Sequence, residues 1–282
     1  MHLYKSTEGN IITLNNNVYL FQHDWDDLIN RDNLHTHLLQ VTRTLSPVKT
    51  SEAELLQSKN ILAPVSNQEV WAAGVTYLRS RDARMEESKD AGASDCYQKV
   101  YEADRPELFF KSLPHRVAAH NEAVLIRKDS TWNVPEPELT LLINSSGSIQ
   151  GYTIGNDMSS RSIEGENPLY LPQAKMYERS VALGPCVYVP LHPIDLHSSI
   201  SIIINRDGKD IFNGTIKLKQ MKRQLTELVE WLFAELRFQH GCFLMTGTGI
   251  VPPDHFTLNP NDRIAITIEN IGTLVNTVQT SK

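Results

Sequence analysis

Two glutamates at alternate positions, Glu136 and Glu138, have the residue type and the spacing to bind a cation. If the apolar run that contains them is a strand, its side chains alternate between two faces, so both carboxylates project from one face, roughly 7 Å apart. A Ser-Ser-Gly turn signal at 145–147 follows, and a return strand over 149–154 would bring Asp157 back towards them. The sequence therefore predicts three converging carboxylates.

Carboxylates held this close raise each other's pKa unless a cation compensates for their charge, and an all-oxygen set favours Mg²⁺, Mn²⁺ or Ca²⁺ over zinc. Pro135 and Pro137 cannot donate to a sheet ladder, which places the pair at a strand entry, an edge or a bulge. Asn156 and Asp157 are expected to end the return strand, a common position for functional side chains. The alternative is a solvated strand face, where glutamates at alternate positions are frequent.

The surrounding elements are predicted from hydrophobic periodicity and from breaker residues. We expect a helix over 24–44 and a buried strand over 69–75. Helical segments are expected over 77–103, either as a lid over a site or as a plain surface helix. A strand over 106–111 follows, and apolar residues at intervals of three and four predict a helix over 217–238.

Downstream of the carboxylates we expect a helix over 158–164 and then a loop over 166–172. The loop would bring Lys175 near the strand ends, although an ordinary surface lysine is the alternative. Glycines and threonines over 246–252 follow an apolar strand and could offer backbone amides and hydroxyls to an anion. No Gly-Lys-Ser/Thr follows, so this loop is not a phosphate P-loop. A final strand is expected over 263–269.

Composition bounds the class of protein. The chain has 282 residues, a hydrophobic content of 40% and a net charge of -6, which is typical of a globular protein with a substantial core. No basic run forms a nucleic-acid patch, and no stretch reaches the roughly 20 apolar residues that span a membrane, so neither is expected as a partner. The N-terminus lacks an apolar signal core, which favours a cytoplasmic location. The 3 cysteines fit neither a disulfide framework nor a metal site, and we interpret them as small buried residues.

Several short motifs follow one another in a specific order. They are Gly74-x-x-Tyr77, Phe109-x-Lys111, Glu136-x-Glu138, Gly151-Tyr152-Thr153-x-x-Asn156-Asp157-x-Ser159-x-Arg161, Lys175, Leu183-Gly184-Pro185 and Gly247-Thr248-x-x-Val251. In this order they resemble the fumarylacetoacetate hydrolase superfamily. The resemblance runs from about residue 60 to the C-terminus, and its combination of Glu-x-Glu with Asn-Asp is specific.

This resemblance implies a fold and a metal site. The fold would be α+β and β-rich, with a mixed rolled β-sheet core, a small N-terminal α/β lobe over 1–60 and a catalytic domain over 61–282. Glu136, Glu138 and Asp157 would be ligands of a divalent metal, usually Mg²⁺, for which Mn²⁺ or Ca²⁺ could substitute. The resemblance also implies a homo-oligomer, either a dimer or a tetramer.

The chain departs from the superfamily's hydrolases at one informative place. Those members carry a histidine three residues after the tyrosine of a Gly-x-Asn-Tyr motif, and this histidine activates water with a nearby glutamate. Here Ser80 stands three residues after Tyr77, and no histidine occurs over 38–114, so C–C hydrolysis of that kind lacks its base. Elimination does not need it. The stretches 77–82 and 161–175 are similar to the branch that dehydrates 2-keto-3-deoxy pentonates.

The branch implies a reaction and its proton carriers. A 2-keto-3-deoxy pentonate, derived from D-arabinonate or D-xylonate in pentose catabolism, would become 2-oxoglutarate semialdehyde through a metal-stabilised enolate. The cation would chelate the C1 carboxylate and the C2 keto oxygen and so acidify C3. Lys175 and Glu107 are the candidates for the base at C3 and for the acid that helps the C4 hydroxyl leave. A neighbouring cation would lower the pKa of the lysine.

Four residues are candidates for contacts with a sugar-acid substrate. The Gly247 amide and Thr248 would fix the substrate carboxylate, while Ser80 and Arg81 could meet the sugar hydroxyls. Two other functions stay open at this point. One is a C–C hydrolase or decarboxylase that acts on a diketo acid with a different base. The other is a non-catalytic sugar-acid binding protein whose carboxylates hold a structural Ca²⁺.

Overall fold

The computed structural model describes residues 1–57, 60–87 and 94–281, over which the chain is a strand-rich α+β structure. The strands are β1 (His2–Ser6), β2 (Gly9–Leu14), β3 (Asn17–Phe21), β4 (Glu69–Gly74), β5 (Glu107–Ser112), β6 (Val117–Ala118), β7 (Ala123–Ile126), β8 (Asn133–Ile143), β9 (Ile149–Ser160), β10 (Val181–Tyr188), β11 (Ser199–Arg206), β12 (Lys209–Lys217), β13 (Cys242–Met245), β14 (Arg263–Ile268) and β15 (Gly272–Thr280). The helices are α1 (Trp25–Ile29), α2 (Leu34–Thr44), α3 (Glu52–Gln57), α4 (Leu78–Glu87), α5 (Ser94–Glu102), α6 (Arg161–Glu166), α7 (Leu171–Lys175) and α8 (Leu225–Phe233). None of these helices is long and apolar enough to cross a membrane.

The strands form two mixed sheets. The larger sheet has the order β3-β2-β1-β10-β9-β8-β13-β4-β5, with β6 paired to β10, and the smaller has the order β12-β11-β14-β15-β7. The pairing of β13 with β4 is parallel, whereas β8 and β9 are antiparallel. The expected α+β, β-rich class is therefore confirmed. Because β1 pairs with β10, the first strands continue the larger sheet, and the division of the chain at residue 60 stays a prediction.

The hairpin of β8 and β9 lies in the middle of the larger sheet, and every residue of β8 is buried. Its odd-numbered side chains Leu139, Leu141 and Ile143 belong to the apolar core shared with the smaller sheet. Side chains alternate along a strand, so the even-numbered positions, which include both glutamates, face the other way. The partner β13 pairs with β8 only from Thr140 onwards, and the two prolines therefore lie in the entry of the strand, as expected.

Two predicted helices are shorter than their periodicity indicates. The expected helix over 24–44 is two helices, α1 and α2, because Asn33 adopts a left-handed conformation with φ of 55° between them. The expected helix over 217–238 is α8 alone. Its predicted first turns are a short 3-10 helix, Leu218–Gln220, followed by Met221, which bridges to Tyr77 instead of continuing the helix.

The region after the acidic hairpin also differs from the prediction. Strand β9 continues to Ser160, so Asp157 lies within the strand instead of at its end, and the following helix begins at Arg161. The expected loop over 166–172 contains a 3-10 turn and the start of α7. Strand β14 is not the last, because β15 follows it.

The predicted strands and helices around β4, β5, α4 and α5 are confirmed, whereas the prediction for the cysteines is confirmed only in part. Strands β4 and β5 confirm the two strands expected there, and α4 and α5 confirm helical structure over most of 77–103, whose middle lies outside the described residues. Cys96 is exposed, contrary to the expectation that all the cysteines are buried, whereas Cys186 and Cys242 are buried. Cys96 lies on helix α5 beside Tyr97, which is buried.

Candidate metal centre

Three carboxylates converge on one face of the β8–β9 hairpin. Glu136 and Asp157 are direct cross-strand partners, and Glu138 stands opposite Gly155 two residues further on. Residues paired in this way, or separated by two positions, project from the same face. Carboxylate oxygens of the three acids lie within 4.8 Å of one another, and all three side chains are buried. Their burial excludes a solvated strand face.

The Thr246–Thr248 turn, which follows β13, holds one of these carboxylates in place. The Gly247 amide donates a hydrogen bond of 2.7 Å to Glu138 Oε2. Gly247 has a φ of +90°, which only glycine adopts without strain, and a Cβ there would overlap the side chain of Thr76. The glycine is thus required both for the turn and for the close approach of the two segments.

Two buried lysines pair with the acidic cluster. Lys175, at the end of α7, donates from Nζ to Glu136 Oε2 at 2.7 Å and to Asp157 Oδ2 at 3.1 Å. Lys111, on β5, lies 2.6 Å from Asp157 Oδ1 and also donates to the backbone oxygen of Met158 at 3.1 Å. The expected alternative of an ordinary surface residue is therefore wrong for Lys175, which is 1% exposed.

Two arginines share the remaining oxygen of one glutamate. Arg84 on α4 and Arg161 at the start of α6 donate to Glu136 Oε1 at 3.0 and 2.9 Å. Arg84 also pairs with Glu164, whose other oxygen accepts a bond of 2.8 Å from Ser159. The sequence analysis missed Arg84 and Glu164 as parts of the site. Glu164 carries no signal of its own in the sequence.

Charge repulsion inside the cluster makes it suited to a divalent cation. Burial, together with the negative charges of Asp157 and Glu136, raises the pKa of Glu138 well above its usual range. Burial also opposes ionisation of Glu136, but Lys175 and the arginines outweigh it and lower the pKa of that carboxyl. A cation at Glu138 would relieve the repulsion, and the all-oxygen donor set matches Mg²⁺. The three acids fit the metal on these grounds.

The lysines are affected in opposite directions. Burial alone would lower the pKa of Lys175, but Asp157, Glu136 and Glu164 outweigh it and raise the pKa. The protein groups thus act against the lowering that a neighbouring cation would cause. Burial lowers the pKa of Lys111, and Asp157 only partly offsets this effect.

Glu107, the first residue of β5, lines the cavity that lies above the three carboxylates. Burial raises the pKa of Glu107 to about 7. A carboxyl with that pKa can accept or donate a proton near neutral pH. The catalytic role of Glu107 stays a prediction, and a pKa near neutrality is compatible with it.

The cavity above the carboxylates has a volume of ≈ 20 Å³, close to that of a single water molecule. Of the predicted residues, Ser80, Glu107, Lys175, Gly247 and Thr248 line it together with the three acids.

Arg81 does not reach this cavity. Its guanidinium bonds to the neighbouring Asp82 and lies over the ring of Tyr101. Ser80 and Arg84 are four residues apart on α4 and therefore share the helix face that lines the site. A contact between Arg81 and the sugar hydroxyls stays a prediction.

The chain is similar in sequence to a known family and to proteins of that family. Residues 70–279 match the family model described as fumarylacetoacetate (FAA) hydrolase C-terminal. The chain is 47% identical over 223 residues to a probable 2-keto-3-deoxyxylonate dehydratase of Haloferax volcanii, a match that covers 79% of this chain and 76% of that protein. It is 41% identical over 224 residues to the 2-dehydro-3-deoxy-D-arabinonate dehydratase of Saccharolobus solfataricus, covering 78% of this chain and 74% of that protein.

A solved structure resembles the whole chain. It is a 2-keto-3-deoxy-D-arabinonate dehydratase complexed with magnesium and 2,5-dioxopentanoate, with a TM-score of 0.83 and a sequence identity of 32%. The match covers 100% of this chain and 99% of the other. The similarity thus includes the N-terminal strands as well as the acidic hairpin.

Proposed function

The chain belongs to the fumarylacetoacetate hydrolase family, and from that premise we propose that it is a Mg²⁺-dependent dehydratase of a 2-keto-3-deoxy pentonate. The observation that carries the proposal is the buried convergence of Glu136, Glu138 and Asp157 beside Lys175. The similarity to two dehydratases of such sugar acids supports the substrate class. The magnesium in a similar solved structure supports the metal.

The three carboxylates would hold the cation, which when bound would supply a Lewis acid to the 2-keto group of the substrate. The Gly247 amide already bonds Glu138, so it positions a ligand, and the neighbouring Thr248 hydroxyl is the candidate contact for the substrate carboxylate. Ser80 also lines the cavity and is a candidate contact for a sugar hydroxyl.

Two residues of the chain would move the protons. Glu107, whose pKa is about 7, is the candidate base that removes a proton from C3. The Lys175 ammonium is the candidate acid that donates a proton to the C4 hydroxyl as it leaves as water. Loss of the C3 proton and the C4 hydroxyl forms a C3–C4 double bond. A proton then moves from C5 to C3, which shifts the double bond to C4–C5. The resulting enol gains a proton at C4 as its hydroxyl loses one, which gives the aldehyde of 2-oxoglutarate semialdehyde.

The product decides between this function and its alternatives. We expect 2-keto-3-deoxy-D-arabinonate with Mg²⁺ to yield an aldehyde product with loss of one water, and excess EDTA to stop the reaction. Pyruvate in place of that product would indicate C–C cleavage and would overturn the dehydratase proposal. Incubation with acylpyruvates and diketo-sugar acids in the same assay tests for a hydrolase or decarboxylase directly.

A further inference from the structure

The Lys175 ammonium bonds the same carboxylates that the proposed cation would use. Its Nζ lies 2.7 Å from Glu136 Oε2 and 3.1 Å from Asp157 Oδ2, so it bridges two of the three acids. Glu136 Oε1 is already bonded to Arg84 and Arg161. A cation that binds Glu136 on its less crowded oxygen must therefore approach the one that Lys175 holds.

From this geometry we infer that the Lys175 ammonium and the divalent cation compete for Glu136 Oε2 and Asp157 Oδ2, so that metal binding releases the lysine towards the substrate. The inference rests on the proposed function. It adds an order of events: the metal binds first, and Lys175 becomes available for proton transfer only after it has left the carboxylates. The ≈ 20 Å³ cavity agrees with this order, because the substrate needs room that the lysine side chain helps to fill.

Lys111 provides a matched contrast within the same site. Its Nζ lies 2.6 Å from Asp157 Oδ1, so its charge is as close to Asp157 as that of Lys175 is to Glu136. It differs in its other partners, which are the backbone oxygens of Met158 at 3.1 Å and of Lys175 at 2.5 Å. A cation does not compete for those carbonyls when it binds the carboxylates. Lys111 is therefore expected to stay in place while Lys175 moves.

The competition can be measured without turnover. Mn²⁺ serves as the probe, because the free aqueous ion has an electron paramagnetic resonance signal that decreases when the ion binds protein. We expect Lys175→Met to bind Mn²⁺ at least about tenfold more tightly than the wild type, because the ion no longer displaces charge-assisted hydrogen bonds to two carboxylates. Lys111→Met loses the same charge without freeing the shared oxygens, and we expect a smaller rise in affinity.

Lys175→Arg covers the case in which Lys175→Met does not fold. The guanidinium keeps the charge and bonds carboxylates in a bidentate manner, so competition predicts weaker Mn²⁺ binding than in the wild type. An equal rise in Mn²⁺ affinity in Lys175→Met and Lys111→Met would overturn the inferred competition, and so would an unchanged Mn²⁺ affinity in Lys175→Arg. Either result would leave the dehydratase proposal standing. If neither the wild type nor any variant bound Mn²⁺, both the inferred competition and the proposed metal-dependent function would be overturned.

Discussion

Gly74, the last residue of β4, lies directly against the carboxylate of Glu107, the first residue of β5. The two are register partners in the larger sheet. A Cβ on Gly74 would overlap Glu107 Oε2 and lie 2.6 Å from Glu107 Cδ. The glycine therefore sets the position of a carboxylate that faces the cavity, although it carries no reactive group itself.

We expect Gly74→Ala to lower kcat by about 100-fold, the scale of a displacement of roughly 1 Å at a reacting group. The added methyl group pushes the Glu107 carboxylate out of place, while the proposed metal ligands on β8 and β9 are untouched, so Mn²⁺ affinity should not change. Steady-state kinetics and a Mn²⁺ titration measure the two effects. In a Glu107→Gln background the same alanine should have little further effect on kcat, and an additive loss would show that Gly74 acts by another route.

Loss of the negative charge should affect the stability of the fold differently at Glu136 and at Glu138. Glu136→Gln removes the buried charge to which Lys175, Arg84 and Arg161 all bond, and we expect it to lower the free energy of unfolding by about 3–5 kcal/mol. Glu138→Gln removes a carboxyl that Glu136 and Asp157 repel, while its amide oxygen can still accept the Gly247 amide bond, so stability should stay the same or rise.

Thermal unfolding in excess EDTA checks this difference, and the protein-bound metal after dialysis against Mg²⁺ should decrease in both variants. A destabilisation of Glu138→Gln equal to that of Glu136→Gln would contradict the repulsion inferred at Glu138. An unchanged metal content in both would show that the ion binds elsewhere.

Far from the site, Glu52 makes the stability of the fold depend on pH. Its Oε1 accepts hydrogen bonds from His2 at 2.8 Å, from Thr13 at 2.9 Å and from the Tyr4 hydroxyl, and these bonds, above all that from His2, lower its pKa to about 2. A carboxyl with a depressed pKa stabilises the fold above its unfolded pKa of about 4.5, and this stability is lost as the pH falls towards about 2.

We therefore expect Glu52→Gln to lower the melting temperature at pH 7 and the difference from the wild type to shrink as the pH falls from about 4.5. Melting curves of the two proteins between pH 7 and pH 3 measure this. Glu235→Gln is a suitable control, because it removes a carboxylate that is exposed to solvent just after helix α8. A difference that stays constant with pH would contradict the assignment.

The acidic hairpin could be predicted from the sequence because strand periodicity is local. A period of two places Glu136 and Glu138 on one face whatever the rest of the chain does, and the turn signal fixes the return of Asp157. The helix boundaries could not be predicted in the same way. A left-handed Asn33 or a bridge from Met221 to Tyr77 depends on tertiary contacts that apolar spacing does not encode.

The arginine of α4 that lines the site, Arg84 instead of Arg81, could not be predicted from the sequence. Nothing in the order of the residues says which side of α4 faces the carboxylates until the position of the helix is known. Ser80 was predicted to line the site, and the residue four positions later on the same face is Arg84, not its neighbour Arg81. Once Ser80 is known to line the site, the helical period identifies Arg84 as its neighbour on that face.

The pH dependence of turnover follows from the raised pKa of Glu107. The proposed base at C3 must be ionised to act, so kcat/KM should rise with pH along a limb whose midpoint is no higher than about 7, since a bound cation can only lower the pKa of Glu107. In Glu107→Gln this limb should disappear together with most of the activity. A profile of the wild type and of Glu107→Gln from pH 5 to pH 9, at saturating Mg²⁺, measures both. If the residual activity of Glu107→Gln kept the same ascending limb, the titrating base would be another group, and Glu107 would act by position alone.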